Sequence, residues 1–351
     1  MHYDTIKNIF FKFDPETAHH IAEIGLKTTT KLSLGINVLK KNFTYENNIL
    51  AQNIFGLNFP NPIGIAGGFD KNATMIKALY ALGFGYIEYG TLTPKPQSGN
   101  AKPRLFRLIE EQSIQNAMGF NNDGAKIIKE RIKNIFPFEI PLFCNIGKNK
   151  ITPNEEAIND YVNLVQTFNG ISDVFVINIS SPNTPNLRDL QEISFINELF
   201  DAIKPLTKTP IILKVSPDMS IEKSLEICSS AVQNGASGII LTNTTIDYTL
   251  SNKAKNFGGI SGQLLKEKSK IMLKEISKEL FGKTILISSG GIDNANDAYE
   301  RIKMGASLIQ IYTSFIFKGP KICYNINSKL AKMLKDDGYK TISQAIGAYL
   351  K

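Results

Sequence analysis

The sequence predicts a (β/α)8 barrel preceded by a small helical extension. Three observations predict it. After about residue 60, eight short apolar segments alternate with longer ones in which apolar residues return every three or four positions. Several of the short segments run straight into polar or glycine-rich stretches, the form a parallel α/β strand takes where it delivers residues to a ligand-binding edge. An open, doubly wound sheet, the competing architecture, would more often carry a GxGxxG turn after an early strand, and the nearest match, Gly83-Phe-Gly85, continues Tyr-Ile-Glu and fails.

The elements follow in order. Ile6, Ile9, Phe10 and Phe13 share one helical face. Asp14-Pro15-Glu16 then restarts a helix, with Asp as N-cap and Pro in the first turn. Ala18, Ile21, Ala22, Gly25 and Leu26 form its apolar stripe, and Lys7, Lys12, Lys27, Lys31, Lys40 and Lys41 flank both stripes. Two such helices either lie on a membrane surface or pack against the barrel. Residues 1–45 are therefore set apart as a helical extension and 46–351 as the barrel. A short strand is expected at 53–58, and a hairpin over the barrel mouth at 104–114. The barrel strands are expected at 62–68, 85–92, 141–147, 174–181, 210–216, 238–245, 284–291 and 307–314.

Composition narrows the function. The 351 residues, 42% hydrophobic and 21% charged, are ordinary for a globular chain, and no run approaches the roughly 20 apolar residues of a spanning helix. Residues 1–13 mix charged and apolar residues without a signal-peptide cleavage pattern. Cys144, Cys228 and Cys323 are far apart and read as reduced thiols of a cytosolic protein. The net charge of +8 is dispersed, with no aromatic-basic motif, so nucleic acid is not the expected partner; anionic ligands or an anionic membrane surface suit it as well. The three histidines are His2, His19 and His20. A Ser-His-Asp triad or a histidine-ligated metal in the main domain is thereby excluded, and no metal site is expected. Any base there is Ser, Cys, Tyr, Lys or a carboxylate.

The most informative stretch is Val176-Ile-Asn-Ile-Ser-Ser-Pro-Asn-Thr-Pro-Asn186. An apolar strand turns abruptly into neutral hydrogen-bonding groups, Asn178, Ser181, Asn183 and Thr184, at its C-terminal end. Asn offers a donor and an acceptor together and suits the amide and carboxylate groups of a small polar substrate. Ser181 is the candidate for proton work; a polar strand exit without chemistry is the alternative. Glycine-rich turns at Ser288-Ser-Gly-Gly-Ile-Asp293 and Gly258-Gly-Ile-Ser-Gly262, with Ile311-Tyr-Thr-Ser314, fall where barrels bind phosphate. Lys214 sits in the apolar run Ile211-Ile-Leu-Lys-Val215, costly inside a barrel unless paired or ligand-bound. Lys71 follows the first strand, and Asn145, Asn178 and Asn243 end strands three, four and six.

These residues carry a family resemblance. The chain resembles the class 2, quinone-dependent dihydroorotate dehydrogenases over essentially its whole length. The matching motifs are Ala66-Gly-Gly-Phe-Asp-Lys71, Gly90-Thr-Leu-Thr-Pro94, Lys102-Pro-Arg-Leu-Phe-Arg107, Asn116-Ala-Met-Gly-Phe-Asn121, Asn145-Ile-Gly-Lys-Asn149, Asn178-Ile-Ser-Ser-Pro-Asn-Thr-Pro185, Leu241-Thr-Asn-Thr-Thr245 and Gln310-Ile-Tyr312. Class 1 relatives carry a cysteine base in the loop after strand four; here Ser181 stands there, and no cysteine is near. Gly67 stands where Ala is common, and Ser288-Ser289 precede Gly290-Gly291 where an apolar-containing version is usual.

The resemblance implies FMN as cofactor and oxidation of (S)-dihydroorotate to orotate in pyrimidine synthesis, with a membrane quinone as acceptor. It implies Ser181 as general base at C5, with hydride passing from C6 to flavin N5. Asn116, Ala117, Met118, Gly119, Phe120, Asn178, Asn183, Asn243 and Thr244, with Lys71, would hold the substrate. Gly67, Gly68, Lys71, Thr91, Asn145, Asn178, Lys214, Thr242, Gly262, Gly291, Tyr312 and Thr313 would surround FMN. Thr242, Asn243 and Thr244 can serve one site only if the strand bends there. The segment 182–193 is expected to act as a lid, with Thr184 relaying the Ser181 proton. A monomer held peripherally at the cytoplasmic face of the cell membrane is the expected state.

Overall fold

The computed structural model describes residues 3–351; His2 lies outside them. Three helices come first: α1 (Tyr3–Phe10), α2 (Pro15–Thr29) and α3 (Ser33–Phe43). Asp14 caps α2 as expected, its carboxylate accepting from the backbone N–H groups of Glu16 and Thr17 at 3.1 Å. The third helix was not expected. It starts at Leu32 without a side-chain cap, so it lacks a start signal, and contact with the helix Ile76–Ala81 supports it instead. Phe13 lies in the turn beyond α1 rather than on its face.

All three helices are tied to the barrel. Tyr3 donates to the Ile316 carbonyl at 2.6 Å. Arg104, nearly buried, grips Glu16 through two nitrogens at 2.7 and 3.3 Å. Thr74 donates to Glu23 at 2.6 Å, and Lys40 to Tyr80 at 3.0 Å. The packing expected of the extension is therefore present. The extension also leaves Ile9, Phe13, Ile21, Ile24, Leu32, Leu34 and Val38 exposed.

The expected strand at 53–58 is a hairpin, β1 (Gln52–Ile54) and β2 (Leu57–Phe59). Then come β3 (Ile63–Asp70), β4 (Tyr86–Leu92), β5 (Leu105–Leu108), β6 (Ser113–Asn116), β7 (Leu142–Ile146), β8 (Val174–Asn178), β9 (Ile211–Val215), β10 (Gly238–Leu241), β11 (Gly259–Gly262), β12 (Ile285–Ser289) and β13 (Ala306–Ile311). Eight parallel strands close the predicted barrel in the order β3-β4-β7-β8-β9-β10-β12-β13. The mouth hairpin, β5 with β6, gains a third strand, because β11 pairs with β6. The expected Gly258–Gly262 turn is therefore partly strand.

Alternation along the strands sorts the barrel interior into layers. Ile54 and Phe59 of the hairpin close the bottom, against Tyr86, Phe143 and Val174. Val176, Ile212, Ile240, Ile287 and Leu308 complete this apolar interior. Two residues further along their strands come Glu88, Asn145, Asn178, Lys214, Thr242 and Gln310, a polar layer toward the mouth. The intervening residues, such as Ile87, Cys144, Ile177 and Leu213, point outward into the larger core under the helices.

His19 is a titrating contact between extension and barrel. Its ring meets Phe69 edge-on at 5.1 Å. Burial, aided by the Lys71 charge, lowers its pKa from 6.5 to about 4. A histidine held uncharged contributes stability that is complete above pH 6.5 and is lost as pH falls toward 4. The change corresponds to at most about 3 kcal/mol. In melts from pH 7 to pH 4, His19→Gln is expected to lose less stability than the unaltered protein; parallel curves would assign the acid loss to other groups.

Candidate active site

A cleft, open at its mouth, lies over the polar layer. Of the residues expected there, Gly67, Gly68, Lys71, Thr91, Asn116, Met118, Gly119, Phe120, Asn178, Ser181, Asn183, Lys214, Thr242, Asn243, Thr244, Gly262, Gly291, Tyr312 and Thr313 line it. Ala117 and Asn145 do not. Ala117 is turned into backbone pairing, its N–H donating to the Arg104 carbonyl at 2.8 Å. Asn145 is fully buried beneath the wall. Thr242, Asn243 and Thr244 all reach the cleft because β10 stops at Leu241, so strand alternation no longer governs them.

The asparagines form a directed chain. Thr244 N–H donates to Asn243 Oδ1 at 2.8 Å, and Asn243 Nδ2 to Asn178 Oδ1 at 3.3 Å. Asn178 Nδ2 donates to Asn145 Oδ1 at 3.3 Å and to Thr91 Oγ1 at 2.9 Å. Asn145 Nδ2 donates to Glu88. A carboxylate only accepts, so Glu88 fixes which end each amide presents. On the other side of the cleft, Asn183 Nδ2 donates to Asn116 Oδ1 at 2.9 Å.

Ser181 follows β8 and is 6% exposed, its Oγ accepting from the Asn183 N–H at 3.2 Å. The loop after it is only half free. Leu187, Leu190 and Gln191 are buried, while Arg188 donates to the Ser180 carbonyl at 2.9 Å, the Thr244 carbonyl at 2.8 Å and Asp218 at 2.7 Å. Within the segment 182–193, expected as a lid, Pro185, Asn186, Asp189, Glu192 and Ile193 are exposed. Lys71 donates to the Gly68 carbonyl at 2.7 Å, and burial pushes its pKa down to about 8. It is thus no solvated helix-starting lysine.

Orphaned polar atoms mark where a ligand fits. Ser314 Oγ, Gln310 Oε1 and Asn183 Oδ1 are buried on residues that line the cleft, without hydrogen-bond partners. Unpaired buried groups are costly, so these three call for donors and acceptors from a bound molecule. Ser314 lines the same cleft as Gly290 and Gly291, and Gln310 and Lys214, which also line it, share the Glu88 carboxylate. A free hydroxyl and free amide acceptors, on one cleft with Lys214 and the glycine turns, suit a phosphorylated heterocycle such as FMN.

The chain matches the family model described as "Dihydroorotate dehydrogenase" over residues 49–334. It belongs to the dihydroorotate dehydrogenase family. Among curated relatives, the dihydroorotate dehydrogenase (quinone) of Nitratiruptor is 58% identical over 99% of both chains. That of Helicobacter acinonychis is 49% identical over 100% of both. The solved structure of the Eimeria tenella enzyme in complex with ferulenol matches with a TM-score of 0.84 at 33% identity, over 96% of each chain. This dihydroorotate dehydrogenase is of the quinone-dependent class, as the serine in place of a cysteine at residue 181 suggested.

Sequence reading missed Glu88, Gln310 as a cleft residue, and Arg188. The signal for Glu88 was present. A lone carboxylate inside Tyr86-Ile-Glu-Tyr-Gly-Thr-Leu92 is the same anomaly that singled out Lys214. It sits one period of two after an inward aromatic residue, Tyr86.

Proposed function

We propose that the cleft binds FMN and (S)-dihydroorotate and that Ser181 is the general base. Removal of the C5 proton by Ser181, with departure of hydride from C6, leaves the C5=C6 double bond of orotate. FMN, when bound, supplies the hydride acceptor, and its two electrons pass on to a quinone. Asn116, Asn178, Asn183 and Asn243 would orient the substrate's amide and carboxylate groups. Thr91, Lys214 and Tyr312 with the glycine turns would hold the cofactor, while Asn145, expected among them, braces Asn178 and Glu88 from beneath. Serine is a weak base at neutral pH. Thr184, 3% exposed with its hydroxyl unpartnered, is available to pass the proton outward from Ser181. The observation that carries this reading is the convergence of Ser181, the asparagine chain and Lys214 on one cleft beside glycine turns.

The quinone would approach along the extension. A second cavity, lined by Tyr3, Lys7, Phe11 and Ile109, shares Gln112 and Phe317 with the cleft. Phe11 lines it, whereas Ile9, Phe13 and Ile21 are exposed. No helix among the described residues is long and apolar enough to cross a membrane. The exposed side chains of α2 and α3, with Lys27, Lys31 and Lys41, suit peripheral contact with an anionic bilayer. Contact at the cytoplasmic face belongs to the same proposal.

Purified protein is expected to be yellow and to bleach when dihydroorotate is added without oxygen. A colourless protein that FMN cannot reconstitute would sink the flavin reading.

A further inference from the structure

Glu88 has no surface exposure, yet it is the hub of the polar layer. Lys214 Nζ donates to its Oε1 at 3.1 Å, the Asn145 amide donates to the same oxygen, and the Gln310 amide donates to Oε2. Lys214 and Gln310 line the cleft; Glu88 does not. The glycine at residue 67 leaves room for the carboxylate, since a Cβ there would lie 2.2 Å from Glu88 Oε1. The glycine that stands where alanine is common thus lets a buried anion lie directly under the cleft floor.

We propose that Glu88 is a positioning residue that sets the driving force of cofactor reduction, as fixed counter-ion of Lys214. This rests on FMN occupying the cleft. Hydride transfer adds one negative charge to the cofactor. Lys214 alone would favour that charge, and a carboxylate 3.1 Å from its ammonium opposes it. In a buried, weakly screened site such a charge acts over a longer range than in water. The pair therefore presents the cofactor with a damped cation, and the carboxylate keeps the reduction potential lower than the lysine would make it. A cofactor held low gives up its electrons to the quinone more readily.

Glu88→Gln isolates the charge. The new Oε1 accepts from Lys214 and Asn145 as before. The new Nε2 donates to Gln310 Oε1, which has no partner, once that amide turns over. The test is the midpoint potential of the FMN-loaded protein, equilibrated with a reference dye. Glu88→Gln is expected to raise the reduced-to-oxidised ratio at fixed potential at least tenfold, about 30 mV for a two-electron couple. Glu88→Asp draws the charge back by one methylene and is expected to shift the potential the same way by less. An unchanged or lowered potential in Glu88→Gln overturns the proposal. Should that variant not fold, Glu88→Asp decides alone, and an unchanged potential overturns it too. Failure of the unaltered protein to hold FMN would instead overturn the flavin reading beneath it.

Discussion

Ser181→Ala is expected to slow reduction of bound FMN by dihydroorotate about 10²–10⁴-fold, the usual worth of a general base. Cofactor content and substrate affinity should change little. The lost hydroxyl makes one recorded contact, accepting from the Asn183 N–H at 3.2 Å, and the loop behind it is held by Arg188, which grips the Ser180 and Thr244 carbonyls and Asp218. The loss should therefore fall on the rate of the reductive half-reaction and not on the binding constant. Rapid-mixing absorbance of the flavin under anaerobic conditions measures it. The rival base is Lys71, which burial brings to a pKa of about 8. It already donates to the Gly68 carbonyl at 2.7 Å, so it is posed as a cation that binds. Near-normal reduction in Ser181→Ala, with collapse in Lys71→Ala, would reverse the two roles.

The second large effect concerns the outward face of α3. Leu32 and Leu34 are 71% exposed and Val38 is 53% exposed. Folding gains little from side chains left in water, whereas burying a Leu or Val in an apolar phase is worth roughly 1.5–3 kcal/mol. Changing all three to Ser should leave melting and dihydroorotate-dependent reduction of a small soluble dye unchanged. Binding to anionic vesicles should weaken at least about a hundredfold, about 3 kcal/mol in affinity, and turnover of long-chain quinone in those vesicles should fall with it. Full quinone turnover in the triple variant would mean that this face does not dock on the bilayer. The variant is a cleaner probe than deleting residues 1–44. Deletion strips Arg104 of Glu16, Thr74 of Glu23 and Tyr80 of Lys40, and so disturbs the barrel as well.

Much of the site could be read in the sequence because barrel strands deliver it in runs. Asn178, Ser181 and Asn183 come from one short segment, and the turn at Gly290-Gly291 and the residues from Thr242 to Thr244 are consecutive, all at strand ends. Local spacing suffices to see such groups. Glu88 was overlooked because its meaning lies in partners more than 50 residues away: Asn145, Lys214 and Gln310. The helix Ser33–Phe43 was overlooked for a related reason. It has no capping side chain, and contact with Ile76–Ala81 stabilises it.

By itself the sequence determined the barrel, the proton-handling candidate and the fold's ligand-bearing edge. Apolar period, Pro and Gly punctuation and the absence of histidine beyond residue 20 are local or compositional properties, and they need no partner to act. Only the tertiary structure decided how far the loop after Ser181 is free, which helix residues face outward, and which carboxylate answers Lys214. Each of these depends on strands brought side by side by barrel closure. A residue's charge or exposure has its effect only through the neighbours that closure supplies, and in a parallel barrel those neighbours are remote in the chain.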